Sequence, residues 1–512
     1  MQDKIVDYKE VMENIPDKAL IATASFGFGG TPEQLMLGLH EHFKEKQAPK
    51  HISFMTTAGI GTFPEKTGLD LLNYPDFLEC FYGSHLLGSP NASQAAQQNE
   101  YAAYLLPQGI IGQMYQDAAR KGPGVISRIG LDTFIDPRVK GGKMNALADE
   151  KGDIVQLVEI HDEEWLHYQP VKIDVAFIKA TYADHRGNLS FKHETNELEF
   201  LSIAIATHNN GGIVIAQVEE LVEDFSLPAK EVKIPGKLVD FVVKAAPENH
   251  RQLLSHQYHP GLSQEIRVDL STFKQMPKSI IKKMAQRINQ EIADGDCVNI
   301  GYGFASQIAQ YFLDEDRLEK IHLTTDLGAY GGLPASGYSY GSNWNAEAII
   351  STADMMSLYQ SGGLDVTIIG FGLVDQLGNV DTVDMGDKFA GPGGMIDITT
   401  GADKIIFVGN FVLSGQAELV DNALKITKEG KGPKFVEEHK YTTFNAKQAL
   451  SLGKEILIIT ERAIFDVVPE GLRLIEYAPG LNVEKDIIAK MAFRPIIANH
   501  LKQMDWKDSY TQ

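Results

Sequence analysis

Apolar and polar positions follow two different periods along this chain. Short runs rich in β-branched and aromatic residues read as buried strands: KALIATASF (18–26), HISFMTT (51–57), DVAFIKATY (174–182) and GGIVIAQVEE (211–220). Between them lie stretches with apolar residues at helical spacing, such as PEQLMLGLHEHFKEK (32–46). Strands alternating with helices predict an α/β layer fold with mostly parallel sheets.

The pattern recurs. The segment 174-DVAFIKATYADHRGNL-189 aligns without a gap on 365-DVTIIGFGLVDQLGNV-380. Asp174 pairs with Asp365, Asp184 with Asp375, Gly187 with Gly378 and Asn188 with Asn379. Each copy predicts a strand ending in an Asp-x-x-Gly-Asn turn, closed by side-chain oxygens and a glycine at positive φ. Fainter echoes link 20-LIATASFGFGG-30 to 298-VNIGYGFAS-306, and HISFMTTAG near 51 to KIHLTTDLG near 320. Two related open α/β domains from a fused repeat are expected, 1–275 and 276–512. The boundary falls in the proline-broken 260–279 stretch, and KSIIKKMAQRINQEIADGD (278–296) predicts an amphipathic helix opening the second domain.

At 512 residues, two or more domains are expected, and 43% apolar content supplies their cores. The net charge of −21 argues against a nucleic-acid partner, which needs a basic face. Two isolated cysteines, Cys80 and Cys297, suggest a reducing compartment and no structural zinc. The N-terminal MQDKIVDYKE lacks the apolar core of a signal peptide, and no apolar run approaches a membrane span. A cytoplasmic protein without a membrane partner is expected.

Several segments could carry chemistry. The loop FGFGGTPEQL (26–35), with Gly29 and Gly30, follows a strand and precedes a helix, a place where backbone N–H groups meet anions. It departs from the dinucleotide fingerprint at Pro32, as GYGFAS does at Ser306, which weakens a nicotinamide-enzyme reading. The run FAGPGGMID (389–397) could free N–H groups for an oxyanion, or be an ordinary turn. The basic loop DPRVKGGKMN (136–145) could bind phosphate or simply be solvated. The His256–His259 pair and His161/His167 match no zinc pattern. Asp326, in 323-LTTDLGAYGGLP-334, stands at a predicted strand end among glycines, where open α/β sheets place ligands. Only the second half has a carboxylate after its Thr-Thr.

Together these motifs, with LLPQGIIGQMY (105–115), GPGVISRIGLDTFIDPRVKGGKMN (122–145), NWNAEAII (343–350), SGGLDVTIIG (361–370) and AGPGGMIDI (390–398), give the chain a family likeness. It resembles the family I acyl-CoA:acetate/3-ketoacid CoA-transferases over nearly its whole length, most closely the single-chain acetate/propionate type. The resemblance implies transfer of CoA between a short-chain acyl-CoA and an acceptor carboxylate through covalent intermediates on a side-chain carboxylate. That carboxylate maps onto Asp326, and the oxyanion and CoA-binding positions onto Asn299, Gln108, Gly393 and Gly394, with Gly29 and Gly30 in the cleft. No cofactor or metal is implied, since coenzyme A is itself substrate and covalent intermediate. A homodimer or homotetramer is implied as well. The family pattern has Glu where this chain has Asp. The shorter side chain withdraws the carboxylate by roughly 1–1.5 Å, which opens a second reading: an acyl-CoA hydrolase with Asp326 as general base or hydrolysable nucleophile. A third reading is an inactive acyl-CoA-binding protein.

Overall fold

The computed structural model describes residues 4–62, 67–384, 386 and 388–506. The first three residues of the MQDKIVDYKE segment lie outside them. Two large sheets form the molecule. In the first, seven strands run parallel in the order Phe241–Lys244, Ile213–Val222, Val175–Asp184, Leu20–Thr23, Ile52–Thr56, Leu78–Gly83 and Ala102–Leu105. The middle strands are buried on both faces, which is why they read as unbroken apolar runs instead of alternating ones.

The second sheet has the parallel order His322–Thr324, Cys297–Ile300, Val366–Gly370, Lys404–Val408 and Glu455–Ile459. It continues into the antiparallel pair Ala463–Val468 and Gly471–Tyr477, and ends at Ile496–Gln503. The expected amphipathic helix is Ile280–Asn289, and the Ser279 side chain accepts the Lys282 N–H at its start. No helix among the described residues is long and apolar enough to cross a membrane.

The repeat is matched hydrogen bond for hydrogen bond. Asp174 Oδ2 accepts the Leu20 N–H at 3.0 Å, and Asp365 Oδ2 accepts the Cys297 N–H at 2.8 Å. Each aspartate therefore ties its strand to the start of the neighbouring strand. At the far end, Asp184 Oδ1 accepts from the N–H groups of Arg186 and Asn188, and Asp375 Oδ1 from those of Leu377 and Asn379. Gly187 and Gly378 both sit at φ +85°. The turn asparagines reach outward in the same way: Asn188 Oδ1 accepts from Gly236, and Asn379 Oδ1 from Ala446.

Against this common frame, two exchanges separate the halves. Ala58 stands after Thr56–Thr57 where Asp326 stands after Thr324–Thr325. Lys179 stands where the second half has Gly370. Lys179 is buried with Glu194 as its hydrogen-bonded ion-pair partner, and His250 lies 3.5 Å from the same carboxylate. That network fills the first sheet at the level where the second sheet is open.

A Cβ on Gly378 would fall 2.7 Å from the buried Val467 side chain, at a φ that L-residues avoid. Gly378→Ala is expected to destabilise the fold by about 2–3 kcal/mol. Gly187→Ala, whose Cβ would come within 3.0 Å of the Lys4 side chain and make ordinary 3.5 Å contacts with Gly236 O and Val239, is expected to cost about 1 kcal/mol. Thermal midpoints of the two variants check the order; equal midpoints would show that φ alone governs both sites.

Candidate active site

The carboxyl ends of the second sheet's parallel strands face a cavity of about 520 Å³ whose opposite wall comes from the first half. Asp326 lines it from the turn after His322–Thr324, and Gln108 from the first residue of helix Gln108–Ala119. Main-chain hydrogen bonds join the halves at this point. The Leu86 N–H donates to Ala390 O, Gly393 N–H to Ser84 O and Gln108 N–H to Gly393 O. Asn196 Nδ2 donates to the carbonyls of Leu327 and Gly341, which flank the loop carrying Asp326.

Burial pushes the Asp326 carboxyl up to about 6, opposed by hydrogen bonding. Its Oδ1 lies 3.1 Å from the Tyr340 hydroxyl, and that hydroxyl is also 3.2 Å from Ile300 O. One phenolic proton cannot serve both oxygens. When Asp326 is protonated, its O–H can donate to Tyr340 and Tyr340 to Ile300, so all three groups are satisfied. When Asp326 is ionised, Tyr340 turns its proton to the carboxylate and leaves the carbonyl unserved. Burial outweighs the Tyr340 hydrogen bond, which by itself favours the anion, and so leaves the carboxyl raised.

Around the other carboxylate oxygen the wall is bare. A Cβ on Gly394 would stand 2.9 Å from Asp326 Oδ2, so only glycine leaves that oxygen its place. Among the described residues the Gly394 N–H has no protein acceptor. Gln108 Nε2 is buried without a hydrogen-bond partner, and its amide is near enough to favour the ionised form of Asp326 while falling short of hydrogen-bond geometry. Behind it, Asp397 Oδ2 accepts the Gly109 N–H at 3.0 Å and Oδ1 accepts from Gln360 at 2.7 Å. Burial, and the neighbouring Asp326, raise Asp397 to about 7. The arrangement clamps the first turn of the Gln108 helix. On the first-half wall, His85 Nε2 accepts the Gly59 N–H at 2.9 Å, so the proton sits on the buried, unpartnered Nδ1. Burial holds this imidazole neutral by lowering it to about 4.

The remaining sequence-predicted residues are placed differently. Asn299 is fully buried beneath the site, donating to Tyr359 Oη at 3.3 Å and accepting from Thr367, and it does not line the cavity. Gly393 does line the cavity, with its N–H taken by Ser84 O. Gly29 and Gly30 stand behind the loop, where a Cβ would strike Phe26 and Leu198 respectively, while Gly27 reaches the cavity. The basic loop is elsewhere: Arg138 pairs with Asp136 and Glu164, and Lys143 with Asp153. His256 and His259 pack against Trp344, and among the described residues no His, Cys, Asp and Glu cluster suits a metal. Tyr340 and His85 carry no motif by themselves, and Asp397 closes the FAGPGGMID run without being singled out; they come near the site because the loops of both halves converge.

A family model for coenzyme A transferase matches residues 7–245. Over 98% of its length the chain is 37% identical to caffeate CoA-transferase of Acetobacterium woodii, covering 96% of that protein. It is equally 37% identical to acetate CoA-transferase YdiF of Escherichia coli K12, with 98% and 94% of the two chains covered. The chain belongs to the coenzyme A transferase family. The crystal structure of the acyl-CoA transferase YdiF apoenzyme from E. coli O157:H7 superposes with a TM-score of 0.92 at 36% identity, covering 99% of this chain and 96% of that one. A YdiF thioester complex with CoA superposes at 0.91. The two-domain α/β architecture of this CoA-transferase is thus that of YdiF.

The Asp326 chain yields a pH prediction. A nucleophilic or basic carboxylate works only when ionised, so kcat/KM for acyl-CoA is expected to rise through a midpoint near 6 and plateau above it. Tyr340→Phe removes a hydrogen bond that favours the anion, so its midpoint is expected to move upward. An unmoved midpoint would assign the titration to another group.

Proposed function

We propose that this CoA-transferase moves CoA from a short-chain acyl-CoA to an acceptor carboxylate such as acetate, with Asp326 as the covalent nucleophile. The observation that carries this is the carboxylate itself: one oxygen is held by Tyr340, and the other is turned to a bare wall with two unpartnered donors nearby. Asp326 Oδ2 attacks the thioester carbonyl, the C–S bond breaks, and an acyl–aspartyl anhydride and CoA thiolate form. The thiolate then attacks the Asp326 carbonyl carbon and releases the first carboxylate, leaving an Asp326–CoA thioester. An acceptor carboxylate attacks that carbonyl and expels CoA thiolate. The thiolate finally attacks the acceptor's acyl carbon, giving the new acyl-CoA and free Asp326.

Gln108 Nε2 and the Gly394 N–H are the donors in place to receive negative charge on the tetrahedral oxygens, each worth on the order of 10²–10³ in rate. The names of the relatives support acetate as acceptor and extend the acyl range to caffeate-sized groups. The cavity is large enough for either and is lined by Phe26, Phe28, Tyr302 and Tyr340. The aspartate is short for this task, and a water between it and the thioester would convert transfer into hydrolysis.

The test is a mass-resolved assay with acetyl-CoA or propionyl-CoA, with and without acceptor acid. Expected are new acyl-CoA only when acceptor is present, a CoA adduct on Asp326, and loss of at least about 10³-fold in Asp326→Ala. Free CoA accumulating without acceptor, with exchange restored by Asp326→Glu, would instead make the protein a hydrolase. CoA binding with neither activity would make it a binding protein.

A further inference from the structure

The cavity does not end at Asp326. It runs along the carboxyl ends of successive strands, past Gly301, Gly370 and Gly409, to Lys434. Gly301, Gly370 and Gly409 stand at the ends of Cys297–Ile300, Val366–Gly370 and Lys404–Val408. None of the three adopts positive φ, so the backbone does not require glycine there. A Cβ on Gly370 would meet only Tyr302 O, at 4.0 Å; on Gly409 it would lie 3.4 Å from Lys434 Nζ. Glycine at 370 keeps the trough clear, whereas at Gly301 a Cβ would crowd Ile368 O and Ile369 at 3.1–3.2 Å, so there packing against the neighbouring strand also sets the size. In the first half the counterpart of Gly370 is Lys179, whose side chain fills the same level.

At the trough's end Lys434 is 7% exposed. Its Nζ donates to Phe371 O at 2.8 Å and lies 3.6 Å from the centre of the Phe371 ring. Among the described residues it forms no salt bridge. Burial lowers its pKa to about 7, against the opposing pull of Glu461. A buried amine with N–H groups to spare and no salt-bridge partner is unfavourable unless something polar meets it. Beyond it the exposed residues Asn410, Leu413 and Ser414 mark an opening to solvent.

We propose that Lys434 is a binding residue for the pantetheine arm of CoA, donating to the carbonyl of the amide farther from the thiol. The proposal rests on the covalent reading of Asp326 and adds a second anchor to it. Length selects the group. From the strand bearing Asp326 to the strand ending at Gly409 there are three inter-strand steps, about 14 Å. From the Asp326 Cα through a thioester sulfur to the distal amide carbonyl is eleven bonds, about 12–13 Å extended at 3.3–3.6 Å per three bonds. The first phosphate lies five bonds further, beyond the amine and out toward solvent.

The test uses the full-length enzyme and Lys434→Met. Transfer kcat/KM is measured with acyl thioesters of CoA, of pantetheine and of N-acetylcysteamine, which lacks the distal amide. CoA and pantetheine binding are measured by calorimetry, which does not depend on turnover. Expected is a loss of about 10–100-fold for the variant with CoA and pantetheine alike, and no loss with the N-acetylcysteamine thioester. The variant's thermal midpoint should be unchanged or higher, since a buried amine is removed. A loss seen with CoA but not pantetheine would move the contact to phosphate and overturn the proposal. So would equal losses with all three thioesters, a fall of several degrees in the midpoint, or absence of CoA binding by the unchanged protein. If the unchanged protein binds CoA but forms no Asp326 adduct, the covalent reading fails while the binding data still decide the role of Lys434.

Discussion

A carboxyl group kept from water, with one hydroxyl as its direct hydrogen-bonding partner, is the constraint around which this molecule is arranged. Ionised Asp326 is disfavoured by burial and favoured by Tyr340, and the balance leaves it poised near 6. Solvating the site fully would make the anion stable and a poor nucleophile. Removing its polar neighbours would keep it protonated and inert. Nearby groups bear on this balance: Tyr340 reaches back to Ile300, Gly394 yields space to Oδ2, and Asp397 grips the turn that carries Gln108.

Such a site needs two walls, and each half supplies one. The strand-end aspartates and the Asp-x-x-Gly-Asn turns are the same in both halves, and the strands they tie together pair in parallel in each. Symmetry is broken where function requires it. Ala58 leaves the first half without a carboxylate, and Lys179 with Glu194 closes its strand-end level with a buried ion pair. Removing one member of such a pair would strand the other charge in a low-dielectric interior, so the network holds the first half shut. Its loops then serve as the cover of the second half's site, joined to it through Ser84, Leu86 and Asn196.

The glycines serve two separate physical purposes. Gly187, Gly378, Gly393 and Gly27 take positive φ and shape turns. Gly301, Gly370 and Gly409 have ordinary φ; Gly301 and Gly409 are small where protein atoms approach closely, and Gly370 opens onto the cavity. The second class sits on the carboxyl ends of adjacent parallel strands.

The chain by itself determined the strand–helix alternation, the repeat, the carboxylate Asp326 that only the second half carries after its Thr-Thr, and the family likeness. All of these are local periods or contiguous motifs, carried by residues a few positions apart. Gln108, Gly393 and Gly394, singled out in the same way, line the cavity that Asp326 lines. Tertiary structure alone decided that Asn299 lies beneath the site and not in its wall, that the Gly393 N–H is taken by Ser84, that Tyr340, His85 and Lys434 line one cavity, and that Asp397 stands behind Gln108. These residues are brought together by loops of two sheets and by main-chain bonds between halves. Burial and hydrogen-bond partnership, which set the charge of Asp326 and of Lys434, are properties of that convergence and are not written in any one segment.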